Sequence, residues 1–123
     1  MNVRFSDKAV RCRVTRAELD QMLSGRTVGL EVPLPEKHSF SLSVRPAAAV
    51  IGEWRLDSDP TGLWLTIPGR ELEALVQSLP SKEGIEHEFE TAGGGRIRVS
   101  LEVDVKSERA SRRRSRERAD AAE

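Results

Sequence analysis

Six apolar positions in one strand–helix segment return, at a constant spacing, half a chain later. Val10, Cys12, Val14, Leu19, Met22 and Leu23 map at an offset of 53 onto Leu63, Leu65, Ile67, Leu72, Leu75 and Val76. At an offset of 57, Val32, Phe40, Leu42 and Val44 map onto Phe89, Ile97, Val99 and Leu101. Glu18-Leu19 matches Glu71-Leu72 outright, but other identities are few, so what repeats is a pattern of burial. Neither copy can bury both a sheet face and a helix stripe by itself, which favours two units sharing one core.

Each copy carries local signals for its elements. In the first, Val10, Cys12 and Val14 alternate with Arg11 and Arg13, as in a strand with one buried face. Thr15 and Glu18 have capping-box spacing, Leu19, Met22 and Leu23 form one helical face, and Gly25 supplies the stop. A short strand, "VRF", precedes the turn around Ser6–Lys8, and alternating strands at Val28–Val32 and Phe40–Val44 flank the loop "PLPEKH". In the second copy "EWRL" reads as a strand and Asp57–Gly62 as a turn. Leu63–Ile67 alternates, Pro68 fits the first turn of a helix, and Pro80 ends that helix. A hairpin of Ile85–Phe89 and Ile97–Val105 then closes across "AGGG".

The fold class these elements predict is α+β and mainly antiparallel β. Two pseudo-repeated ββαββ units form a strongly bent sheet or a partly closed barrel of eight antiparallel strands, with two helices over one side or the ends. A single globular domain should span residues 1–105, with halves at about 1–46 and 47–105.

Charge divides the chain differently. Residues 1–105 hold 13 Lys/Arg against 16 Asp/Glu, whereas residues 106–123 hold 7 against 4, so an acidic body carries a basic tail. That tail, "KSERASRRRSRERADAAE", has no hydrophobic residue larger than alanine and is expected to be disordered alone. Cys12 is the only cysteine, so no disulfide or multi-cysteine metal site forms within one chain, which fits a reducing compartment. The start shows no apolar signal region and no run reaches a membrane span, so the expectation is a soluble, cytoplasmic protein with no membrane partner.

The stretch "VRFSDKAVRCRVTRAELDQML", Val3 to Leu23, resembles the opening of a family of short bacterial proteins known only as a domain of unknown function. There a short basic strand and a polar turn lead into an R-x-R-V/L-T/S-x-x-E strand–helix start, with a looser match over about the first hundred residues. The resemblance implies this fold pattern and carries over no activity, cofactor or catalytic residue. Members of that family often end in an acidic, cysteine-containing segment, whereas this chain ends in arginines.

The reactive residues offer little chemistry. Cys12 has apolar neighbours on its own face and reads as an inert buried thiol. His87 shares a face with Ile85 and Phe89 and should be a core or core-edge imidazole bonded to backbone, while His38 lies in a loop. No zinc spacing, G-x-S-x-G, P-loop or G-x-G-x-x-G occurs. Glu86, Glu88 and Glu90 alternate along one strand and should face Arg96 and Arg98 across the hairpin as an ion-paired solvent face. The sharper alternative makes Glu86, Glu88 and Glu102 a magnesium site of a metal-dependent phosphohydrolase. Triphosphate tunnel enzymes resemble such a duplicated barrel, but they line its interior with charge, whereas this alternation puts aliphatic residues inside.

Trp54 should face inward with Leu56. Trp64 alternates against Leu63, Leu65 and Ile67 and should point away from the core, to anchor a partner, lie under a helix or stack on Arg55. Three function classes follow. The first is a non-enzymatic binding domain without cofactor, engaging an unidentified protein partner through Trp64 and Arg55. The second is a nucleic-acid or ribosome-associated accessory protein, whose Arg109, Arg112, Arg113, Arg114, Arg116 and Arg118 make non-specific phosphate contacts. The third is the phosphohydrolase.

Overall fold

The computed structural model describes residues 1–48 and 52–104. Its elements are β1 (Asn2–Phe5), β2 (Ala9–Val14), α1 (Arg16–Leu23), β3 (Val28–Pro33), β4 (Ser39–Pro46), β5 (Arg55–Asp59), β6 (Gly62–Ile67), α2 (Gly69–Ser78), β7 (Ile85–Glu90) and β8 (Arg96–Val103). The order is ββαββ, twice.

Both ends of α1 are set by local hydrogen bonds. Glu18 N donates to Thr15 Oγ1 at 3.1 Å, and Thr15 N donates to Glu18 Oε1 at 2.9 Å, so the box is reciprocal. At the far end Gly25 takes φ +92°, and its N–H and that of Arg26 close on the Met22 and Gln21 carbonyls, a Schellman stop. The second helix is capped differently. Pro68 stands one residue outside α2, at its N-cap, where it offers no side-chain acceptor.

The Met1 ammonium lies 3.0 Å from the Glu18 carboxylate. Partial burial opposes ionisation of Glu18. The bonds from Thr15 and the ammonium outweigh it, and its carboxyl is held below the ordinary value. A depressed folded pKa contributes stability above the unfolded value, and that contribution disappears as pH falls through the folded pKa. Thr15→Ala is therefore expected to cost about 1 kcal/mol at neutral pH. Glu18→Gln should flatten the acid limb of a melting-temperature series taken from neutral to acidic pH. An acid limb as steep as that of the parent protein would show that Glu18 carries no such linkage.

Two four-stranded sheets form, in the orders β1-β2-β8-β7 and β3-β4-β6-β5. The expected mainly antiparallel α+β architecture is present, but the strands make two sheets and no closed barrel. Nor are all pairs antiparallel. The outer pairs are hairpins, while the central pairs, β2 with β8 and β4 with β6, run parallel. The cause lies in the connections: each half sends its two hairpins to different sheets, with its helix crossing between, so every sheet joins one hairpin from each half.

The registers establish the repeat. Val3 pairs with Cys12 and Cys12 with Leu101 in one sheet; Leu56 pairs with Leu65 and Leu65 with Val44 in the other. Leu30 opposite Leu42 corresponds to His87 opposite Val99. Both sequence offsets hold across every one of these pairings.

The core is the shared interior. Val10, Cys12, Val14, Val99, Leu101 and Val103 from one sheet meet Val28, Leu42, Val44, Leu65 and Ile67 from the other, with Leu19, Met22, Leu72 and Leu75 of the helices packed among them. Burial thins toward the hairpin tips: Val28 is buried, Leu30 half-buried and Val32 exposed.

One boundary differs from expectation. β5 begins after Trp54 and runs through Asp57 and Ser58, which the sequence placed in a turn. The turn is only Pro60-Thr61, because Asp59 Oδ1 accepts from both Thr61 N and Thr61 Oγ1 at 2.6 Å, so the ladder continues up to Asp59. Those bonds, the hydroxyl's first, also hold the Asp59 carboxyl below its usual range. Val105, expected to end the last strand, lies outside the described residues.

Candidate functional site

Each sheet turns one face to the core and one outward, and period-two alternation decides which side chains reach the outer faces. Because the repeat matches these faces position by position, their differences in charge are not set by the shared topology.

On the outer face of β1-β2-β8-β7 most positions are charged. Arg4 stands opposite Arg11, and Arg13 and Glu102 are paired across the parallel junction. Arg13 Nη2 lies 3.0 Å from Glu102 Oε1, and Arg11 Nη2 lies 3.5 Å from the same atom. Across the β7–β8 hairpin Glu90 is in register with Arg96 and Glu88 with Arg98, as the spacing around "AGGG" required. Arg98 reaches its register partner Glu88 at 3.2 Å, and two further ion pairs run diagonally, Arg98 to Glu86 at 3.9 Å and Arg96 to Glu88 at 3.5 Å. Glu86, Glu88 and Glu102 thus face arginines on the outer side of this sheet. Among the described residues no three His, Cys, Asp or Glu side chains gather where they could hold a metal ion.

The outer face of β3-β4-β6-β5 is built otherwise. Trp64 sits in its middle, flanked in register by Ser43 on β4 and Asp57 on β5. Gly29 lies beyond Ser43, and Ser41 and Gly62 occupy the next row. Charge on this face lies at Glu31, Arg45, Arg55, Asp57 and Asp59. Arg55 Nε pairs with Asp57 at 3.0 Å, and Arg45 Nε donates to Thr66 Oγ1 at 3.1 Å. Trp64 is half-buried and lies outside the core cluster, so it points outward as expected. The buried residues of both helices, Leu19, Met22, Leu72 and Leu75, belong to the core cluster. The Arg55 guanidinium is held by Asp57 on its own strand.

The remaining candidates fall elsewhere. Trp54 packs into the core, as its alternation predicted. His87 is on the inner face but exposed, stacked on Trp54 at 5.5 Å between centroids with the rings 10° apart and edge-on to Phe89 at 4.8 Å. A ring partner, rather than the expected backbone bond, accounts for its place. Cys12 is buried, and burial pushes its thiol up to about 11, far from a nucleophile's range. The expected nucleic-acid residues Arg109, Arg112, Arg113, Arg114, Arg116 and Arg118 lie outside the described residues. Among the described residues no helix is long and apolar enough to cross a membrane.

Sequence reasoning passed over the arginine cluster of β1 and β2. Its signal was present in the outward alternation of Arg11 and Arg13, but the approach of Glu102 depends on the parallel β2–β8 junction, which no local pattern announces.

No curated protein matches the chain. The model of DUF7009, a family of unknown function, matches residues 1–117, which include the whole length that carries the repeat and its two contrasting faces, and the chain belongs to that family.

Proposed function

We propose that this is a non-enzymatic binding domain whose recognition face is the outer surface of β3-β4-β6-β5, centred on Trp64, and that its partner is a folded protein. The observation that carries this is a broken repeat. Trp64 occupies the position of Arg11, Ser41 that of Arg98 and Gly29 that of Glu86, so on its β3–β4 side one outer face has exchanged a lattice of ion pairs for an aromatic beside small uncharged residues. Protein interfaces have this anatomy: an aromatic centre depleted of charge, with a polar rim. Arg45, Arg55, Asp57, Asp59 and Glu31 supply the rim. A tryptophan that is already half-buried loses little freedom when it is covered.

Affinity capture from extracts of the cell of origin tests the proposal. The parent protein and Arg98→Ala, which alters only the opposite sheet, should retain one partner in common, and Trp64→Ala should lose it. With the partner purified, Trp64→Ala is expected to weaken binding by about 2 kcal/mol or more. Equal affinity for the parent and the Trp64 variant would place recognition on another surface.

A further inference from the structure

Three arginines crowd the outer face of the β1–β2 hairpin without the carboxylates to balance them. Arg4 and Arg11 are directly opposed, and Arg13 follows two residues along β2. Like charges directly opposed on a sheet destabilise it. The repeat does not demand them, since the equivalent positions are Asp57, Trp64 and Thr66. Glu102 alone serves this group, and its side chain, 15% exposed, is already taken by Arg13 at 3.0 Å. Arg11 reaches it only at 3.5 Å, and Arg4 has no ion-pair partner among the described residues.

Beside them opens a cleft of about 350 Å³, bordered by Arg11, Arg98, Ser100, Glu86 and Glu102. Small residues at Ala9 and Gly84 leave the room. Ser100 lies in register between Arg11 and Glu86, with its hydroxyl flanked by a cation on one side and an anion on the other. Glu86 is 61% exposed, and its contact with Arg98 is long, at 3.9 Å.

We propose that this cleft binds a small hydroxylated phosphate monoester. A guanidinium offers paired N–H donors that match phosphate oxygens, and Arg11, held by Glu102 only at 3.5 Å, is free to turn toward them. The Ser100 hydroxyl is a further donor, and Arg4, opposite Arg11 but outside the cleft wall, adds positive charge nearby. Glu86 accepts hydrogen bonds from the ligand's hydroxyl groups. The size fits a small molecule, since ligand pockets run from about 300 to 1,000 Å³. A nucleic-acid strand is disfavoured because it would cross Glu86, Glu88 and Glu90 on the neighbouring edge. This site lies on the sheet opposite to Trp64 and is independent of the proposed protein-binding face.

The test is a two-dimensional amide NMR titration of the full chain with ribose 5-phosphate, ribose, inorganic phosphate and a short single-stranded RNA, all at one ionic strength. Ribose 5-phosphate should shift the amides of Arg11, Ser100 and Glu86 and saturate below about 10 mM. Ribose should not, and inorganic phosphate should bind more weakly. Arg11→Gln should weaken the ester at least tenfold, a change of about 1.4 kcal/mol, and Trp64→Ala should leave it unaltered. Should Arg11→Gln fail to fold, Arg4→Gln and Ser100→Ala give the same reading, each with several-fold weaker binding. Absence of saturable shifts, inorganic phosphate binding as tightly as the ester, or saturation by RNA alone would each overturn the assignment.

Discussion

Leu101→Ala is expected to lower the unfolding free energy by about 2–5 kcal/mol, the range for emptying a fully buried leucine site. Leu101 is 0% exposed and stands on a central strand, between Cys12 on β2 and Ile85 on β7. Its loss opens a void where both sheets and both helices meet, and collapse is resisted because the neighbours are held by ladders on two sides. For a domain of this size each kcal/mol shifts the melting temperature by about 4–8 °C, so the midpoint should fall by tens of degrees at the upper end. The mates in the repeat sharpen the test. Leu19→Ala and Leu72→Ala remove equivalent helix residues, 0% and 1% exposed, and should each cost a comparable amount. Because each sheet joins strands from both halves, all three variants should melt in one transition, with tryptophan fluorescence and circular dichroism coincident. Two separated transitions, or a loss below about 1 kcal/mol at Leu101, would contradict a core held in common.

How much of this was legible depends on the distance over which each interaction acts. Alternation and capping are local, so the hairpins, the box at Thr15 and Glu18, the stop at Gly25 and the outward Trp64 could be read directly. The spacing around "AGGG" even gave the pairing of Glu88 with Arg98. The parallel junctions could not be read, because a strand edge carries no mark of its partner's direction. With the junctions went the division into two sheets and the meeting of Arg11, Arg13 and Glu102. Composition misled at Asp57 and Ser58, where residues common in turns lie within a ladder and only Asp59 folds back. His87 shows the limit of alternation: the pattern placed it on the inner face correctly, but that face outruns the core beyond Val99.

Gly62→Ala is expected to be nearly as damaging as emptying the core, although it adds a single methyl group to a sheet surface. A Cβ at Gly62 would run into the carbonyl oxygen of Ser41 and close on its backbone carbon, at 3.1 Å, and nitrogen, at 3.3 Å. These are backbone atoms of β4 at the start of the parallel junction, where Ser41 N also donates to Thr61 O at 2.9 Å. The obstacle therefore cannot rotate away, and either the β5–β6 hairpin or the junction must shift. Overpacking of this kind costs about 1–3 kcal/mol, and the upper end is expected because the clash falls on the ladder that ties one half to the other. Position-matched Ala9 carries a Cβ at the corresponding junction of the other sheet, so alanine is not foreign to the repeat; only the local approach of Ser41 forbids it. Gly69→Ala provides the contrast. A Cβ there meets nothing within 4 Å, the residue opens α2, and the substitution should be neutral or stabilise by about 0.4–1 kcal/mol. Urea unfolding of the two variants should thus move the midpoint in opposite directions. If Gly62→Ala unfolded at the parent midpoint, β4 and β6 would have to lie farther apart than their register here places them.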